Sequence, residues 1–470
     1  MEIRGISMNI LSQIKKKFNK NKTNIEPQNE TMLFDAVNMD INNICNQRCR
    51  FCFSSFEDKP VNMDVYTFER MIEVLPLVKN YAGGGYGFYI SCIYEPTISP
   101  NFLECLSILP EIAKKKCFFT TNFVKPMDEE YINAMISANI GLINISIESL
   151  KSERFEYITR NSKFHHYKNN LDILEKILKD KDEIPQFRFI TMLLEENSDE
   201  IIDLIKYCQD HFPVLSHEIR TPYISIYNNM KWNENQLMPQ DKVDKLSREI
   251  KSLGYPVDMD IKSIDDLKIL NNHSAETPLK NNQSDIYAEA KKRFLEVEDH
   301  EYLFLRINPD GTCTDKIHNE PIPISKENSR KFFEDKLYEL YLNRAKAAYC
   351  ENYEKVNSID ADAFILIDKL SQNEAYIEFT GWCCPDREVD IDKLIIKLVG
   401  NNGDTKYFHA STKKRPDADE FKNKNEGWCG GFTTYIENNL LNDNSYSVCL
   451  LYKDKSGQTI SYTWENLISV

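Results

Sequence analysis

The chain is expected to be an α/β protein. It should open on a parallel sheet of about six βα units, continue through an α+β extension, and end in an antiparallel β-sandwich. Three observations predict this. From about residue 35 to 228, short apolar runs of strand character alternate with longer runs of helical period, and such alternation implies a parallel sheet with helices outside. Over the last hundred residues, strand-like runs are separated by turns with no helical pattern between them, as in a sandwich. A length of 470 residues exceeds what one hydrophobic core usually serves, so more than one domain is expected.

The elements follow in order. Residues 1–30 read as an N-terminal arm, in which Ile6, Ile10, Leu11, Ile14 and Phe18 could share one face of a short helix or remain a solvated extension. The core, residues 31–235, begins with a strand over Val37 to Ile41 and a helix over Val65 to Val78. A turn at Gly83, Gly84 and Gly85 leads to the strand Gly87 to Ile93. Cys117 to Thr121 is a third strand. The helix after it has an acidic first turn, Asp128 to Glu130, which complements the helix dipole, and an apolar stripe of Tyr131, Ile132, Met135 and Ile136. Leu142 to Ile147 is a fourth strand, followed by a helix over Asn169 to Leu178, the strand Phe187 to Leu194, the helix Asp199 to Cys208 and a strand near Glu218 to Ile226. Residues 236–358 form the extension: a polar loop from Asn271 to Ser284, a strand with the turn Pro309-Asp310-Gly311, and a helix from Phe332 to Ala348. Residues 359–470 form the sandwich, with strands around Ala375 to Phe379, Leu394 to Val399, Phe432 to Ile436 and Tyr446 to Leu451.

Composition narrows the function classes. The formal net charge of −15 argues against nucleic acid, whose phosphates are bound by clustered positive charge. No apolar run reaches the roughly 18 residues that a transmembrane segment needs. Lys15, Lys16 and Lys17 after a broken apolar stretch do not make a secretory signal, and 13 cysteines without a small-scaffold pattern suit a reducing cytoplasm.

The chemistry-bearing signal is NICNQRCRFCF, where Cys45, Cys49 and Cys52 stand as C-x3-C-x2-C on one short loop after the first strand. A zinc site asks for a fourth nearby Cys or His; the next cysteine is Cys92 and no histidine precedes His165. Three close thiols instead fit a four-iron cluster held by three corners, with one iron open to a small molecule. The run from Asp35 to Phe53 resembles the opening of the radical SAM superfamily, with Phe51 in its aromatic position. The resemblance implies a partial (β/α)6 barrel, one 4Fe–4S cluster on Cys45, Cys49 and Cys52, and S-adenosylmethionine (SAM) chelated to the open iron. It also implies reductive cleavage to a 5′-deoxyadenosyl radical that abstracts a hydrogen atom from substrate. An electron donor such as flavodoxin or ferredoxin is the implied partner.

Further residues carry over by position. SCIYEPTISP is similar to the family's Gly-Glu-Pro-Thr word, so Glu95 is expected to accept from the SAM amino group, with Tyr94 replacing the glycine. Ser146, at the end of strand four, and Arg160, in EYITRNSKF, match positions that meet the SAM carboxylate in several members, and a guanidinium fork suits that task. Residues 236–358 are similar to a SPASM extension that kept Cys313 and Cys350 but has Tyr353 or a neighbour where a cysteine is expected, so no second cluster is expected there. Gly381-Trp382, Arg415-Pro416-Asp417 and Gly431-Phe432 are similar to words of a small sandwich appended to bacterial glycan-building enzymes. The adjacent Cys383 and Cys384 suit neither a relaxed disulfide nor a compact metal site. The substrate is therefore expected to be a small molecule such as a sugar, or a glycan-pathway component. A peptide-modifying enzyme and a cluster-bearing binding protein without catalysis are the alternatives.

Overall fold

The computed structural model describes residues 28–52, 59–81, 86–91, 93–181, 183–222, 230–261, 263, 303–315, 321–350, 358–415, 428–442 and 445–469. The helical face expected over Ile6 to Phe18, the turn at Gly83 to Gly85, Cys92, the polar loop Asn271 to Ser284, Tyr353 and the Pro416-Asp417 pair lie outside them. Two compact units emerge. One is Leu33–Glu334; the other combines Asp335–Val470 with the strand segment that precedes Leu33.

The first unit is built on a parallel sheet. Its strands are β1 (Ala36–Met39), β2 (Gly87–Ile90), β3 (Cys117–Thr121), β4 (Leu142–Ser146), β5 (Gln186–Met192), β6 (Val214–Arg220) and β7 (Val257–Asp260), each parallel to the next. This is the expected α/β order, one strand longer. On the other side of β1 the chain returns as β8 (Phe304–Ile307), also parallel, and the antiparallel β9 (Thr312–Thr314) and β10 (Ile322–Pro323) complete a sheet of ten strands. A stretch expected to belong to a separate extension thus pairs with the first core strand, Ala36 opposite Phe304 and Met39 opposite Ile307.

The helices form where the apolar period and the caps place them. Helix α1 (Val65–Met71) starts at Asp64, whose carboxylate accepts the Thr67 N–H at 2.7 Å. It tightens into a 3-10 turn over Ile72–Leu77 because Pro76 cannot donate to the carbonyl one turn back, which ends the helix expected to reach Val78. Helix α2 is Phe102–Ser107, and α3 (Glu129–Ser137) is capped by Asp128 and buries Ile132, Met135 and Ile136. Helix α4 (Ser152–Thr159) precedes α5 (Phe164–Lys179), which buries the stripe Tyr167, Leu171, Leu174 and Leu178. Helices α6 (Ile201–His211), α7 (Met230–Asn235) and α8 (Gln240–Ser252) complete the layer. Strand β6 spans Val214–Arg220, and most of the stretch to Ile226 expected to continue it lies outside the described residues. Helix α9 (Ser329–Ala348) carries the chain onward; Tyr341 stacks on Tyr376 at 5.1 Å, and Arg344 donates to the Tyr376 hydroxyl at 3.0 Å.

The second unit contains two five-stranded sheets. One runs Gln28–Asn29, Ala363–Gln372, Tyr376–Pro385, Gly430–Glu437 and Ser411–Lys414; the other runs Ser358–Asp360, Thr459–Ser469, Ser445–Asp454, Val389–Gly400 and Thr405–His409. Pairing is antiparallel except at the first strand of each sheet, which is added in parallel. Inward residues from both sheets, among them Ile377, Phe379, Cys383, Leu398, Phe432, Val448 and Tyr462, share one apolar core. Cys384 turns to the other face and packs with Trp382 and Cys429, so the adjacent cysteines are divided by the pleat. Among the described residues no helix is long and apolar enough to cross a membrane.

Candidate cofactor site at the ends of the parallel strands

The cysteine loop leaves the C-terminal end of β1, where sites of parallel α/β sheets gather. Asn42 sets its entry: the side-chain oxygen accepts Ile44 N–H at 2.9 Å, and its amide donates to the Glu95 carbonyl at 2.9 Å. The Glu95 N–H returns to the Ile44 carbonyl at 3.0 Å, so the loops after β1 and β2 are locked together. Farther along, the loop covers the C-terminal end of α4. Arg48 N–H donates to the carbonyls of Thr159 and Arg160, and Arg50 N–H to that of Ile158, at 2.9–3.3 Å. Helix carbonyls that have no partner within the helix thereby become the anchor of the loop.

Inside this frame is a cavity of about 180 Å³ whose lining includes Cys45, Cys49, Phe51 and Cys52 together with Tyr94, Glu95, Thr120, Asn122, Ser146, Glu148 and Met192. Of the expected site residues, the structure brings together the three thiols, Phe51, Glu95 and Ser146. Arg160 is not among the lining residues. It is exposed, its φ is +44°, and its Nε donates to the Arg48 carbonyl at 2.6 Å, so the fork expected at the SAM carboxylate braces the cysteine loop instead.

Glu95 is 2% exposed. One carboxylate oxygen accepts from Thr97 N–H at 3.1 Å, Thr97 Oγ1 at 2.6 Å and Thr121 Oγ1 at 2.7 Å; the other accepts Asn122 N–H at 2.6 Å and retains a lone pair for a ligand. Burial pushes its carboxyl up, and the four hydrogen bonds pull it back. The backbone at Tyr94 does not call for a glycine's conformational freedom. Among the described residues of this loop the left-handed one is Ser91, with φ +58°, three residues nearer the strand, and Tyr94 keeps ordinary backbone.

The thiols meet the chemistry a cluster asks for. Burial first, then the Glu95 charge, pushes Cys45 up to about 12; burial, Cys45 and Glu148 push Cys49 well above an ordinary thiol. Such thiols persist as thiolates only around a multivalent cation, which reverses the local balance. Among the described residues no three His, Cys, Asp or Glu side chains converge as they would on a single ion. A four-iron cube asks for a different arrangement, with one thiolate at each separate corner. Neighbouring polar groups shape the thiol end: Asn122 Nδ2 lies 3.7 Å from Cys45 Sγ and donates to Asn46 Oδ1 at 2.7 Å, and Cys49 Sγ lies 3.3 Å from Gln47 Oε1.

Glu148 was not among the expected residues. It lines the cavity two positions after Ser146, accepts Met192 N–H at 3.0 Å and is pushed up to about 8 by burial. The signal was present in INISIES, because alternate residues of an extended run share a face.

Residues 39–208 match the family model described as "Radical SAM superfamily". Among curated relatives, the GTP 3′,8-cyclase of Lactiplantibacillus plantarum is 22% identical over 189 residues, 38% of this chain and 52% of that protein. The GTP 3′,8-cyclase of Mannheimia succiniciproducens is 28% identical over 139 residues, 29% of this chain and 40% of that protein. The chain spans about half the length of the curated relatives it matches. Among solved structures, Streptococcus suis SuiB bound to its precursor peptide SuiA superposes with a TM-score of 0.46 at 12% identity, covering 71% of this chain and 77% of that one.

Proposed function

We propose that this chain, whose residues 39–208 form a radical SAM domain, is an enzyme that generates a substrate radical at one cluster site held by Cys45, Cys49 and Cys52. The observation that carries the reading is the cavity lined by the three thiols together with Glu95 and Ser146. When bound, the 4Fe–4S cluster and SAM supply one-electron cleavage of the sulfonium and a 5′-deoxyadenosyl radical. The chain's residues bind and orient. Glu95 keeps one acceptor lone pair toward the cavity for the SAM amino group, the Ser146 hydroxyl is placed for the carboxylate, and the Phe51 ring stands beside the thiols. Glu148, two positions after Ser146, would supply a second polar group for the cofactor or substrate. The buried walls of β4 and β5 keep bulk water from the radical.

For the substrate we favour a sugar or glycan-pathway compound. The support is the second unit, in which Gly381, Trp382, Gly431 and Phe432 fall on two paired strands of one sheet. Anaerobic loading with iron and sulfide, followed by SAM, reductant and candidate sugars, tests both levels. The reading expects 5′-deoxyadenosine in all cases and faster formation with the right sugar. Absence of 5′-deoxyadenosine from cluster-loaded protein overturns the enzyme reading, and stimulation by peptides alone moves the substrate to that class.

A further inference from the structure

The turn after β3 brings a further side chain to the thiols. Phe123, fully buried and in the left-handed region at φ +57°, reverses the chain there, and its N–H donates to Thr121 Oγ1 at 3.0 Å. The buried Asn170 of α5 holds the turn. Its amide nitrogen donates to the carbonyls of Phe123 at 2.8 Å and Lys125 at 2.7 Å, and its oxygen accepts Met127 N–H at 3.3 Å. A left-handed residue other than glycine persists only where its surroundings determine it. The residue that this turn fixes in place is Asn122.

Asn122 donates in two directions. Its backbone N–H goes to Glu95 Oε2 at 2.6 Å. Its side-chain oxygen accepts Val124 N–H at 3.1 Å, which settles the orientation of the amide, because an NH2 group in that place would oppose the donor. The amide nitrogen therefore meets Cys45 Sγ at 3.7 Å and Asn46 Oδ1 at 2.7 Å, one acceptor for each of its hydrogens. Cys45 Sγ also receives Gln47 N–H at 3.5 Å, so two N–H groups converge on this sulfur. The Gln47 donor belongs to the main chain of the cysteine loop. The Asn122 donor is a side chain from another strand end, and a substitution can remove it.

We propose that Asn122 sets the reduction potential of the cluster site by donating from its amide to the Cys45 thiolate. The proposal rests on the assignment of the cluster to Cys45, Cys49 and Cys52 above. Reduction adds one electron and makes the thiolate ligands more negative. An N–H aimed at sulfur therefore stabilises the reduced form more than the oxidised form and raises the potential. The amide keeps both of its hydrogens, and no proton has to move. A merely structural role would lie in the Asn46 bond, which ties the cysteine loop to the turn after β3. That role needs the amide but not the sulfur, and this separates the two readings.

The test compares the full chain, loaded anaerobically with iron and sulfide, with its N122L and N46A variants. Leucine keeps the branching of asparagine, has no donor and fills the place of a water that could replace one. Midpoint potentials are read by redox titration followed by EPR. We expect N122L to shift the reduction equilibrium about tenfold toward the oxidised form, a potential lower by about 59 mV for a one-electron couple. N46A keeps the donor to sulfur and should stay within about threefold of the parent. An unchanged potential in N122L, or an equal fall in both variants, overturns the proposal. Pulsed EPR of the reduced parent protein, with the side-chain nitrogen of asparagine isotopically labelled, must also show a nitrogen coupled to the cluster spin, and N46A must retain it. Absence of that coupling in the parent overturns the proposal even where N122L takes up no iron. A parent protein that itself takes up no iron defeats the cluster assignment, which is a different result from a loaded cluster that ignores Asn122.

Discussion

Replacing Glu95 with Gln changes one atom, and the structure states what that atom does. Glu95 receives four donors while 2% exposed, three at one oxygen and Asn122 N–H at 2.6 Å on the other. Glutamine offers one acceptor oxygen. If it stays with Thr97 and Thr121, the new NH2 group faces the Asn122 N–H, and two buried donors oppose each other. Loss of one charge-assisted hydrogen bond and stranding of its donor cost about 2–3 kcal/mol. For a unit of this size that lowers the unfolding midpoint by roughly 3–5 °C. On the proposed function the same substitution also removes the anionic partner of the SAM amino group and should weaken SAM roughly ten- to a hundredfold. Calorimetric unfolding without SAM and titration with SAM on cluster-loaded protein measure the two effects separately. An unchanged midpoint would refute the hydrogen-bond reasoning, and a lowered midpoint with unchanged SAM affinity would leave Glu95 structural only.

Three further outcomes are expected. R160A should keep SAM affinity within about threefold and release iron to a chelator faster, because its Nε braces the Arg48 carbonyl; a tenfold loss of SAM affinity with firm iron would return Arg160 to the SAM carboxylate. His217 is pushed down to about 3 by burial, so between pH 6.5 and 3 the unfolded chain binds a proton that the folded chain does not, and stability falls as pH falls through that window. At pH 5.5 the loss is about 1.4 kcal/mol relative to pH 7.5, and H217Q, which can still reach Thr191 Oγ1, should show denaturation midpoints without this component; an unchanged pH dependence contradicts it. In G381A the new methyl would meet the Leu366 carbonyl and come within 2.9 Å of Phe432 Cζ, so the second unit should lose about 2 kcal/mol or more while iron loading of the first is preserved. Intact stability of that unit would show the strand pair to be looser than described.

The order of β1 to β6 was legible because each apolar run is local and bounded by helix caps such as Asp64 and Asp128. The return of β8 to β1 was not: Phe304 pairs with Ala36 across a distance in sequence that no periodicity encodes. The thiols, Glu95 and Ser146 could be placed from strand ends, since a parallel strand delivers its last residues to one edge. Arg160 could not, because a long side chain on an exposed turn is directed by its neighbours, here the Arg48 carbonyl and a left-handed backbone. Glu148 was missed although the strand period places it with Ser146; an acid after a strand reads as solvated until the structure shows Met192 N–H and burial around it.

The central claim is that Cys45, Cys49 and Cys52 hold one cluster on which SAM binds. Iron and acid-labile sulfide, counted on anaerobically loaded protein alongside its C45A, C49A and C52A variants and followed by the EPR change on adding SAM, test it most directly. The account predicts one four-iron cluster per chain, a shifted EPR signal with SAM, and loss of both in each variant. Iron that survives any of the three substitutions, or a loaded cluster whose EPR signal ignores SAM, would contradict it.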